Sequence, residues 1–291
     1  MNNLMIAFIG EQPIPNLIPI KFKRPDKTLL VFTKLTKSKA ENIKKLVESK
    51  ITKIEECEVD PYDISKIYEK VKNKISNEAD LIFNLTGGTK AMAFAGYSLA
   101  QQYNAPFLYL QTEGKEMKIY EYEFKKGIPS LKNTTIVSLK INIDEYLRVH
   151  IGNYNQTNFK NDFERAVYDA LKSSVEELKS GVKIGGALDI DLIIRCENYV
   201  GIAELKTGKK ARTKEGIDQL NTAGGREYLG TYTTKFLIVD QKWDESLSNL
   251  RELAEARNIY LIELPSYGKN KDISNRDKKH LIQTIKDKLH C

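Results

Sequence analysis

Short strand-like stretches alternate with helical periods through the first half of the chain. Apolar and β-branched residues concentrate in four stretches, which predicts strands over residues 4–9, 28–33, 80–85 and 106–111. Between them, apolar residues recur at three- and four-residue spacing, which predicts helices over residues 39–49, 64–75 and 91–102. Because strands that alternate with helices form parallel sheets covered on both faces, we expect an α/β domain with a mostly parallel sheet.

A change of pattern marks the end of this first domain. Two β-like stretches, residues 117–124 and 135–140, come before a polar stretch at 152–161 that has four asparagines and no apolar period. A chain of 291 residues has room for about two domains of roughly 150 residues each. We therefore expect the boundary near residues 142–154, with domains at residues 1–145 and 150–291.

The second half also mixes helical and strand-like patterns. Its expected elements are a helix over 159–178, strands within 182–206, a helix around Ile217, a strand over 236–239, a helix over 246–257, a strand over 259–263 and a basic terminal helix. This order predicts a second α/β domain.

Composition indicates a folded chain with a mild basic excess. Hydrophobic residues make up 41% and charged residues 29% of the sequence, unlike the composition of disordered chains. The net charge of +7 favours phosphate-bearing partners, but a chain rich in lysine and asparagine is as readily explained by genome base composition. Charge alone therefore does not assign a function.

The cysteines and the apolar stretches indicate the cellular compartment of the protein. Cys57, Cys196 and Cys291 are far apart and odd in number, so their spacing predicts neither a CxxC metal knuckle nor a disulfide framework. That pattern fits a reducing cytoplasm. No stretch is long enough to span a membrane, and the apolar run at residues 4–9 lacks the basic flank of a signal peptide. We expect a cytoplasmic protein without a membrane partner.

Two neighbouring strands of the second half carry acidic residues and a lysine. Asp189 and Asp191 lie in the strand-like run that begins at Ala187, and Glu204 and Lys206 follow in the next strand. Side chains two residues apart in a strand emerge on the same face. Phosphodiester hydrolysis uses such oxygen ligands for Mg²⁺ or Mn²⁺, with a lysine that orients or deprotonates water and stabilises the charged transition state.

This segment resembles the PD-(D/E)xK, or restriction-endonuclease-like, nuclease superfamily over residues 159–262. By position, Asp191 corresponds to the family aspartate, and Glu204 with Lys206 to its E-x-K. The resemblance implies that Glu164 adds an acidic group from the preceding helix and that Gln219 corresponds to a glutamine of the following helix. It also implies metal ligation by Asp191, Glu204 and Glu164, with Mn²⁺ or Mg²⁺ as cofactor. Asp189 stands where a glutamate often occurs.

An inert alternative exists for each part of this motif. An isolated E-x-K in a strand is also typical of a solvated strand edge with alternating charges. The ordered set of acidic helix, D-x-D strand, E-x-K strand and glutamine-bearing helix favours the nuclease over inert surface charge. Lys209 and Lys210 follow Lys206 closely, and they are expected either on a solvated face or against the phosphate backbone of a substrate.

Polar loops are expected where the strands of the first half end. These loops are residues 10–16, 33–36 and 84–90. Open α/β sheets bind ligands at this edge. In the last loop, Gly87 and Gly88 allow close backbone approach to an anion, the next helix begins with N–H donors, and Lys90 adds a charge. The loop lacks the GxxxxGK spacing of a Walker motif, so ATP hydrolysis is not expected.

The first half, with its Asn-Leu-Thr-Gly-Gly-Thr-Lys and Gly-Glu-Gln-Pro-Ile-Pro-Asn segments, resembles the CARF domain of CRISPR-associated effectors. With the second half, it is similar to the single-CARF nucleases of type III CRISPR antiviral systems. The resemblance implies a homodimer whose shared groove binds a cyclic oligoadenylate, usually cyclic tetra-adenylate, and so activates cleavage of DNA, RNA or both. The implied pocket residues are Gln12, Asn16, Thr33, Thr86, Gly87, Gly88, Thr89 and Lys90, with Gln111 as a weaker candidate.

Other functions remain open at the level of sequence. The chain could be a non-catalytic nucleotide sensor that binds nucleic acid or protein, or a constitutive restriction-type nuclease. Degradation of the messenger by the first domain is less favoured, because its loops show no obvious acid–base pair.

Overall fold

The strands and helices of the chain belong to two units, residues 1–139 and 140–291. The computed structural model describes residues 2–75, 79–186 and 188–291. The division precedes the helix at Ile143–Ile151, which packs against a strand of the second unit. The expected boundary near residues 142–154 lies just after this division and includes the helix, which was not recognised in the sequence.

A single sheet organises the first unit. Its strands are β1 (Asn2–Phe8), β2 (Lys27–Phe32), β3 (Lys53–Glu58), β4 (Ala79–Asn84), β5 (Phe107–Glu113), β6 (Glu116–Lys125) and β7 (Ile128–Ile136). Their order is β3-β2-β1-β4-β5-β6-β7. The first five strands of that order pair in parallel, and β6 and β7 are added as antiparallel hairpins.

Helices connect the parallel strands of this sheet. They are α1 (Ile14–Lys23), α2 (Lys37–Val47), α3 (Ile64–Lys72) and α4 (Lys90–Gln102). One core cluster contains the strand residues Phe8 and Phe83 together with Ile67 of α3 and Met92 of α4. Gly96 lets α4 approach the sheet, because a Cβ there would lie 2.4 Å from a ring carbon of Phe8. The first unit is thus the α/β fold with a mostly parallel sheet that the pattern predicts.

Three local predictions for the first unit were wrong. Helix α1 begins at Ile14, within the expected loop at residues 10–16, and strand β3 was not recognised. The strand expected at residues 135–140 lies earlier, at Ile128–Ile136. Helix α1 contains Pro15 in its first turn, where proline is tolerated, and Pro19 in its interior, and both give the segment the signature of a loop.

The second unit contains a mixed sheet. Its strands are β8 (Asn155–Gln156), β9 (Glu177–Ile184), β10 (Leu188–Cys196), β11 (Tyr199–Lys206), β12 (Thr234–Val239) and β13 (Ile259–Glu263). The strand order is β13-β12-β11-β10-β9-β8. Strand β10 is antiparallel to β9 and β11, whereas β11, β12 and β13 are parallel to one another. The carboxyl end of β11 and the amino end of β10 therefore meet at one edge.

Helices surround this second sheet. They are α5 (Ile143–Ile151), α6 (Asp162–Leu171), α7 (Glu215–Ala223), α8 (Ser248–Ala256), α9 (Pro265–Asn270) and α10 (Asn275–Leu289). Phe163 of α6 and Leu281 of α10 pack with Leu192 and Phe236 of the sheet in one core cluster. The α/β class predicted for this half is therefore observed.

Two details of the second unit differ from the predicted pattern. The helix expected over residues 159–178 ends at Leu171, and residues from Glu177 onward belong to β9. Ala187, with which the acidic strand was expected to begin, lies outside the described residues.

A disulfide bond joins Cys196 at the end of β10 to Cys291 at the end of the chain. The prediction that the cysteines form no disulfide was wrong, because a separation of 95 residues gives no sign that α10 returns the chain to β10. Cys57 is a buried free thiol. The bond adds a covalent tie between the last helix and the acidic strand.

Candidate functional site

Asp191 lies in β10, one residue before the pairing of β10 with β11 begins at Leu192. Asp191 is 2% exposed to solvent. One carboxylate oxygen accepts the backbone N–H of Leu205 at 2.8 Å, and the other accepts the ammonium of Lys160 at 2.7 Å. That ammonium also lies 3.1 Å from Asp189. Lys160 therefore bridges the two aspartates of the D-x-D strand.

Glu204 and Lys206 form a buried ion pair at the end of β11. The ammonium lies 2.8 Å from Glu204 and 3.2 Å from Glu215, the first residue of α7. Burial, together with the nearby charge of Asp191, raises the pKa of Glu204 to about 8. Burial alone would lower the pKa of Lys206, but the charges of Glu204 and Glu215 raise it. Lys206 is therefore held as a cation.

Helix α6 brings Glu164 to the same edge. Glu164 is 3% exposed and accepts hydrogen bonds from the Asn161 side chain at 2.9 Å and from the Lys160 backbone N–H at 2.8 Å. Burial raises its pKa, and the charge of Asp191 adds to the increase despite the opposing bond from Lys160. Glu164 and Asp191 are thus close enough to interact electrostatically.

Gln219 lies on α7, one turn after Glu215, and its Oε1 atom is buried without a hydrogen-bond partner. Gly216 of the same helix packs on the lysine: a Cβ at this position would lie 3.3 Å from Lys206 Cγ. Helix α7 therefore covers the stem of Lys206. The described contacts do not join Gln219 to the acidic groups.

The donor set suits a hard divalent cation in its chemistry. Asp191 and Glu204 offer carboxylate oxygens, and Asp189 has a buried Oδ1 atom without a partner. Within residues 2–75, 79–186 and 188–291, no three histidine, cysteine or acidic side chains are gathered as a metal cage. Lys160 and Lys206 instead hold the charges of Asp191 and Glu204.

Sequence reasoning missed Lys160, Glu215 and Gly216. Lys160 directly precedes Asn161, whose side chain caps α6, and Glu215 opens α7. An asparagine before an apolar period signals a helix start, so the cap could have been found. The ion pairs of the two residues bridge separate elements and carry no signal in the sequence.

The loops of the first unit meet at the switch point of its sheet. Strand β1 lies between β2 and β4, so the loops after β1 and β4 leave the same edge in the region where the chain changes direction. They touch closely: a Cβ on Gly87 would lie 2.3 Å from the carbonyl oxygen of Phe8, and one on Gly10 would lie 3.0 Å from the Gly88 nitrogen. Glycine is required here for packing between the loops.

A buried amide network holds this edge together. Asn84 donates to the side chain of Asn16 at 3.0 Å, and Asn16 donates to the carbonyl of Phe8 at 3.0 Å. Asn84 also accepts from the hydroxyl of Thr86 at 2.7 Å, and that hydroxyl in turn accepts the N–H of Leu110 at 2.9 Å. Asn16 and Thr86 therefore bind neighbouring loops, and Asn84 is a hub that sequence reasoning missed.

Two further threonines of the expected pocket serve their own loops. Thr89 caps α4 through a hydrogen bond from the Met92 N–H at 3.2 Å and donates to the carbonyl of Pro61 at 2.6 Å. Thr33 is 4% exposed and pairs with Thr36 in the turn that follows β2. The side chains of Thr33 and Thr89 therefore stabilise the loops at this edge through hydrogen bonds inside the protein.

The remaining predicted residues are available to a ligand in different degrees. Lys90, at the first turn of α4, is exposed, and Gln12 is half-buried. Gln111 is exposed but lies within β5, two residues before the strand ends, rather than at its end as predicted. Gly88 has φ of +78°, a conformation that glycine adopts without strain. Leu35 of the expected loop at residues 33–36 is 85% exposed, although it was not among the predicted pocket residues.

A comparison with known protein families finds a match for the first unit. Residues 4–146 match the family profile of the Card1 CARF domain. This unit therefore has the sequence pattern and the fold of a CARF domain. A comparison with curated proteins gives no match.

Solved structures extend the similarity to both units. The chain is similar to Can2 from Sulfobacillus thermosulfidooxidans in complex with cyclic tetra-adenylate, with a TM-score of 0.72 at 15% identity over 98% of both chains. The protein VC1899 from Vibrio cholerae gives a TM-score of 0.70 at 13% identity, again over 98% of both. At these identities the likeness concerns the fold.

A third structure is similar over part of its length. It is a type III CRISPR defence DNA nuclease activated by cyclic oligoadenylate, with a TM-score of 0.56 at 16% identity. The match covers 84% of this chain and 46% of that nuclease. In the described part of the chain, no helix is long and apolar enough to cross a membrane.

Proposed function

We propose that the chain is a homodimeric, metal-dependent endonuclease of type III CRISPR antiviral defence, activated by cyclic oligoadenylate. One observation carries the proposal: Asp191, Glu204 and Lys206 are buried together where β10 and β11 meet. Buried charges are costly unless they are paired or bind a metal, and a buried cluster with perturbed pKa values is a candidate functional site. The CARF match of the first unit and the Can2 complex with cyclic tetra-adenylate support the sensing half of the proposal.

Asp191 and Glu204, with Glu164 beside them, would hold Mg²⁺ or Mn²⁺ in the second unit. The bound ion would supply polarisation of the phosphodiester and of a water molecule. The N–H of Leu205 keeps one oxygen of Asp191 fixed between the two strands. The other oxygen of Asp191 accepts the Lys160 ammonium, and Glu204 pairs with Lys206, so both carboxylates would exchange a lysine contact for the ion.

Lys206 acts as a fixed positive charge in this scheme. Its ammonium is oriented by Glu204 and Glu215, and Gly216 leaves room for its stem. A cation held in a partly dry site stabilises the negative charge that develops on a phosphate in the transition state. Lys209 and Lys210 are exposed directly after Lys206, where they would contact the phosphate backbone of DNA or RNA.

The first unit would bind the activator at the carboxyl edge of its parallel strands. Lys90 and the first turn of α4 offer positive charge to phosphates, while Gln12 and Gln111 offer amides. A ligand with two-fold symmetry fits an isologous dimer, in which each copy supplies the same residues. Activation requires that the ligand bind the active arrangement of the dimer more tightly than the inactive one.

The testing experiment is cleavage of plasmid DNA and single-stranded RNA by the full chain. Mn²⁺ or Mg²⁺ is supplied, with and without cyclic tetra- or hexa-adenylate. Glu204→Ala is compared with Glu252→Ala, because Glu252 is an exposed glutamate on α8 of the same unit. We expect cleavage that needs both ion and ligand, is lost in Glu204→Ala and persists in Glu252→Ala.

Other outcomes select the competing functions. Cleavage without any cyclic oligoadenylate would indicate a constitutive nuclease. Ligand binding with no cleavage under any condition would indicate a sensor whose second unit only binds nucleic acid or protein.

A further inference from the structure

Lys160 pairs with the two aspartates of the D-x-D strand in the second unit, whereas Lys206 pairs with Glu204 and Glu215. The Lys160 ammonium lies 2.7 Å from Asp191 and 3.1 Å from Asp189. The side chain of Lys160 is 41% exposed, whereas that of Asp191 is 2% exposed. The lysine therefore reaches from the solvent side onto a carboxylate that water scarcely contacts.

The backbone around Lys160 is fixed by the same acidic cluster. The Lys160 N–H donates to one oxygen of Glu164 at 2.8 Å, and the side chain of Asn161 donates to the other at 2.9 Å. The N–H of Glu164 donates back to Asn161 at 3.0 Å. The Lys160 backbone is thereby held beside Glu164, and its side chain extends to Asp189 and Asp191.

Electrostatics explain why a cation is needed here. Asp189, Asp191, Glu164 and Glu204 bring four acidic groups to one edge, and like charges that are buried together repel strongly. The Lys160 ammonium lies within salt-bridge distance of both Asp191 and Asp189, so its charge offsets part of theirs. A single lysine thus neutralises part of the cluster.

A divalent ion at Asp191 would compete with this lysine directly. Magnesium binds carboxylate oxygens at roughly 2.0–2.1 Å, and an ammonium on the same oxygen would then repel the ion at close range. Asp191 cannot turn its second oxygen outward without losing the N–H of Leu205. Asp189 remains as a partner for the displaced lysine, because it is 34% exposed at the side chain.

We propose that Lys160 is an internal counter-ion that exchanges with the divalent metal: it occupies Asp191 in the metal-free protein and leaves for Asp189 and solvent when the ion binds. The inference rests on the proposed metal-dependent function. It predicts that Lys160 stabilises the metal-free fold and weakens metal binding.

The experiment measures Mn²⁺ binding to the full chain by electron paramagnetic resonance of free Mn²⁺, so that no cleavage is needed. Lys160→Met removes the charge and keeps an unbranched side chain. Lys172→Met is the matched control, since Lys172 pairs only with the exposed Asp169 among the described ion pairs. Lys160→Arg retains a cation at the site and tests whether charge, rather than packing, is responsible.

We expect Lys160→Met to bind Mn²⁺ about tenfold more tightly than the wild type, which corresponds to about 1.4 kcal/mol. In the presence of a chelator it should unfold at a lower temperature, and Mn²⁺ should restore more of its stability than it adds to the wild type. Lys160→Arg and Lys172→Met should bind as the wild type does.

Two results would overturn the exchange in distinguishable ways. Equal or weaker Mn²⁺ binding by Lys160→Met, with binding by the wild type, would overturn the exchange and leave the metal site intact. Absence of Mn²⁺ binding in both proteins would overturn the metal site and the exchange together.

Discussion

The carboxylate of Asp191 accepts the backbone N–H of Leu205, with 2.8 Å between Oδ2 and the nitrogen. The two strands concerned pair by register up to Leu192 and Ala203. The side chain thus continues the connection between β10 and β11 one step beyond this ladder. Asp191 is consequently a structural tie as well as a candidate metal ligand.

Replacement of Asp191 should separate these two roles. Asp191→Ala leaves the buried Leu205 N–H without a partner, so we expect a loss of about 3 kcal/mol in the free energy of unfolding, whereas the partly exposed Lys160 keeps Asp189 and solvent. Asp191→Asn keeps an acceptor for Leu205, and its loss should be about 1–2 kcal/mol. Urea unfolding followed by the fluorescence of Trp243, the single and buried tryptophan, measures both.

Both variants should lose cleavage and tight Mn²⁺ binding to a similar degree. Equal destabilisation by Asn and Ala would contradict the structural role, because it would mean that the Leu205 hydrogen bond contributes nothing.

Glu215 is expected to position Lys206. Glu215→Ala removes one of the two carboxylates that hold the ammonium, and we expect kcat to fall about tenfold with little change in KM or in activator binding. Asp218→Ala is the control on the same helix, since Asp218 pairs with Arg257 and Lys214 instead. Steady-state cleavage of a fluorescent oligonucleotide gives both constants. A change confined to KM would assign Glu215 to substrate binding.

Local elements could be predicted from the periodicity of the sequence, whereas contacts between distant residues could not. The four strands and three helices predicted for the first half follow from local periodicity, and so does the face shared by Glu204 and Lys206. Helix α1 was hidden because its two prolines resemble loop signals. Lys160 was hidden because its partner Asp191 is 31 residues away, and an ion pair has no period.

The predicted ligand residues illustrate a second limit of sequence reasoning. A polar loop at the carboxyl end of a strand serves either a ligand or the loop itself, and the two are alike in sequence. Asn16 was expected in the pocket, but its side chain is fully buried against Asn84 and Phe8. Only the tertiary fold distinguishes such a residue from the exposed Lys90.

Lys90 and Asn16 should therefore respond differently to substitution. Lys90→Met should weaken binding of cyclic tetra-adenylate about tenfold without loss of stability, because the ammonium is exposed and its charge favours phosphates. Asn16→Ala takes the amide donor from the Phe8 carbonyl and leaves the Asn84 amide with only the Pro15 carbonyl as acceptor, at a cost of about 2–3 kcal/mol. Titration calorimetry measures the affinity, and hydrogen exchange of residues 84–92 measures the stability of the edge. Unchanged affinity in Lys90→Met would remove it from the pocket.

The disulfide between Cys196 and Cys291 should stabilise the second unit when it is oxidised. It closes a loop with a sequence separation of 95 residues, for which chain entropy gives at most about 4–5 kcal/mol. We expect a higher urea midpoint by Trp243 fluorescence without dithiothreitol than with it. Cys291→Ser should abolish this difference and Cys57→Ala should keep it, because Cys57 is unpaired in the first unit. A difference that persists in Cys291→Ser would locate the effect elsewhere.

Glu176 should make the stability of the second unit depend on pH, with stability lost in acid. Burial alone would raise its pKa, but hydrogen bonds from Lys140 and Arg195 lower it from 4.5 to about 2. A carboxyl whose pKa is lower in the folded protein stabilises the fold while it is ionised. This contribution is complete above pH 4.5 and is lost as the pH falls towards 2.

Glu176→Gln should therefore be less stable than the wild type at neutral pH, and the two proteins should converge as the pH falls from 4.5 to 2. The urea midpoint of the full chain at a series of pH values, followed by Trp243 fluorescence, measures the convergence. Glu252→Gln, at the exposed position on α8, should run parallel to the wild type. A constant gap between Glu176→Gln and the wild type across this range would mean that Glu176 acts through packing, because only an ionisable contribution disappears when the carboxyl is protonated.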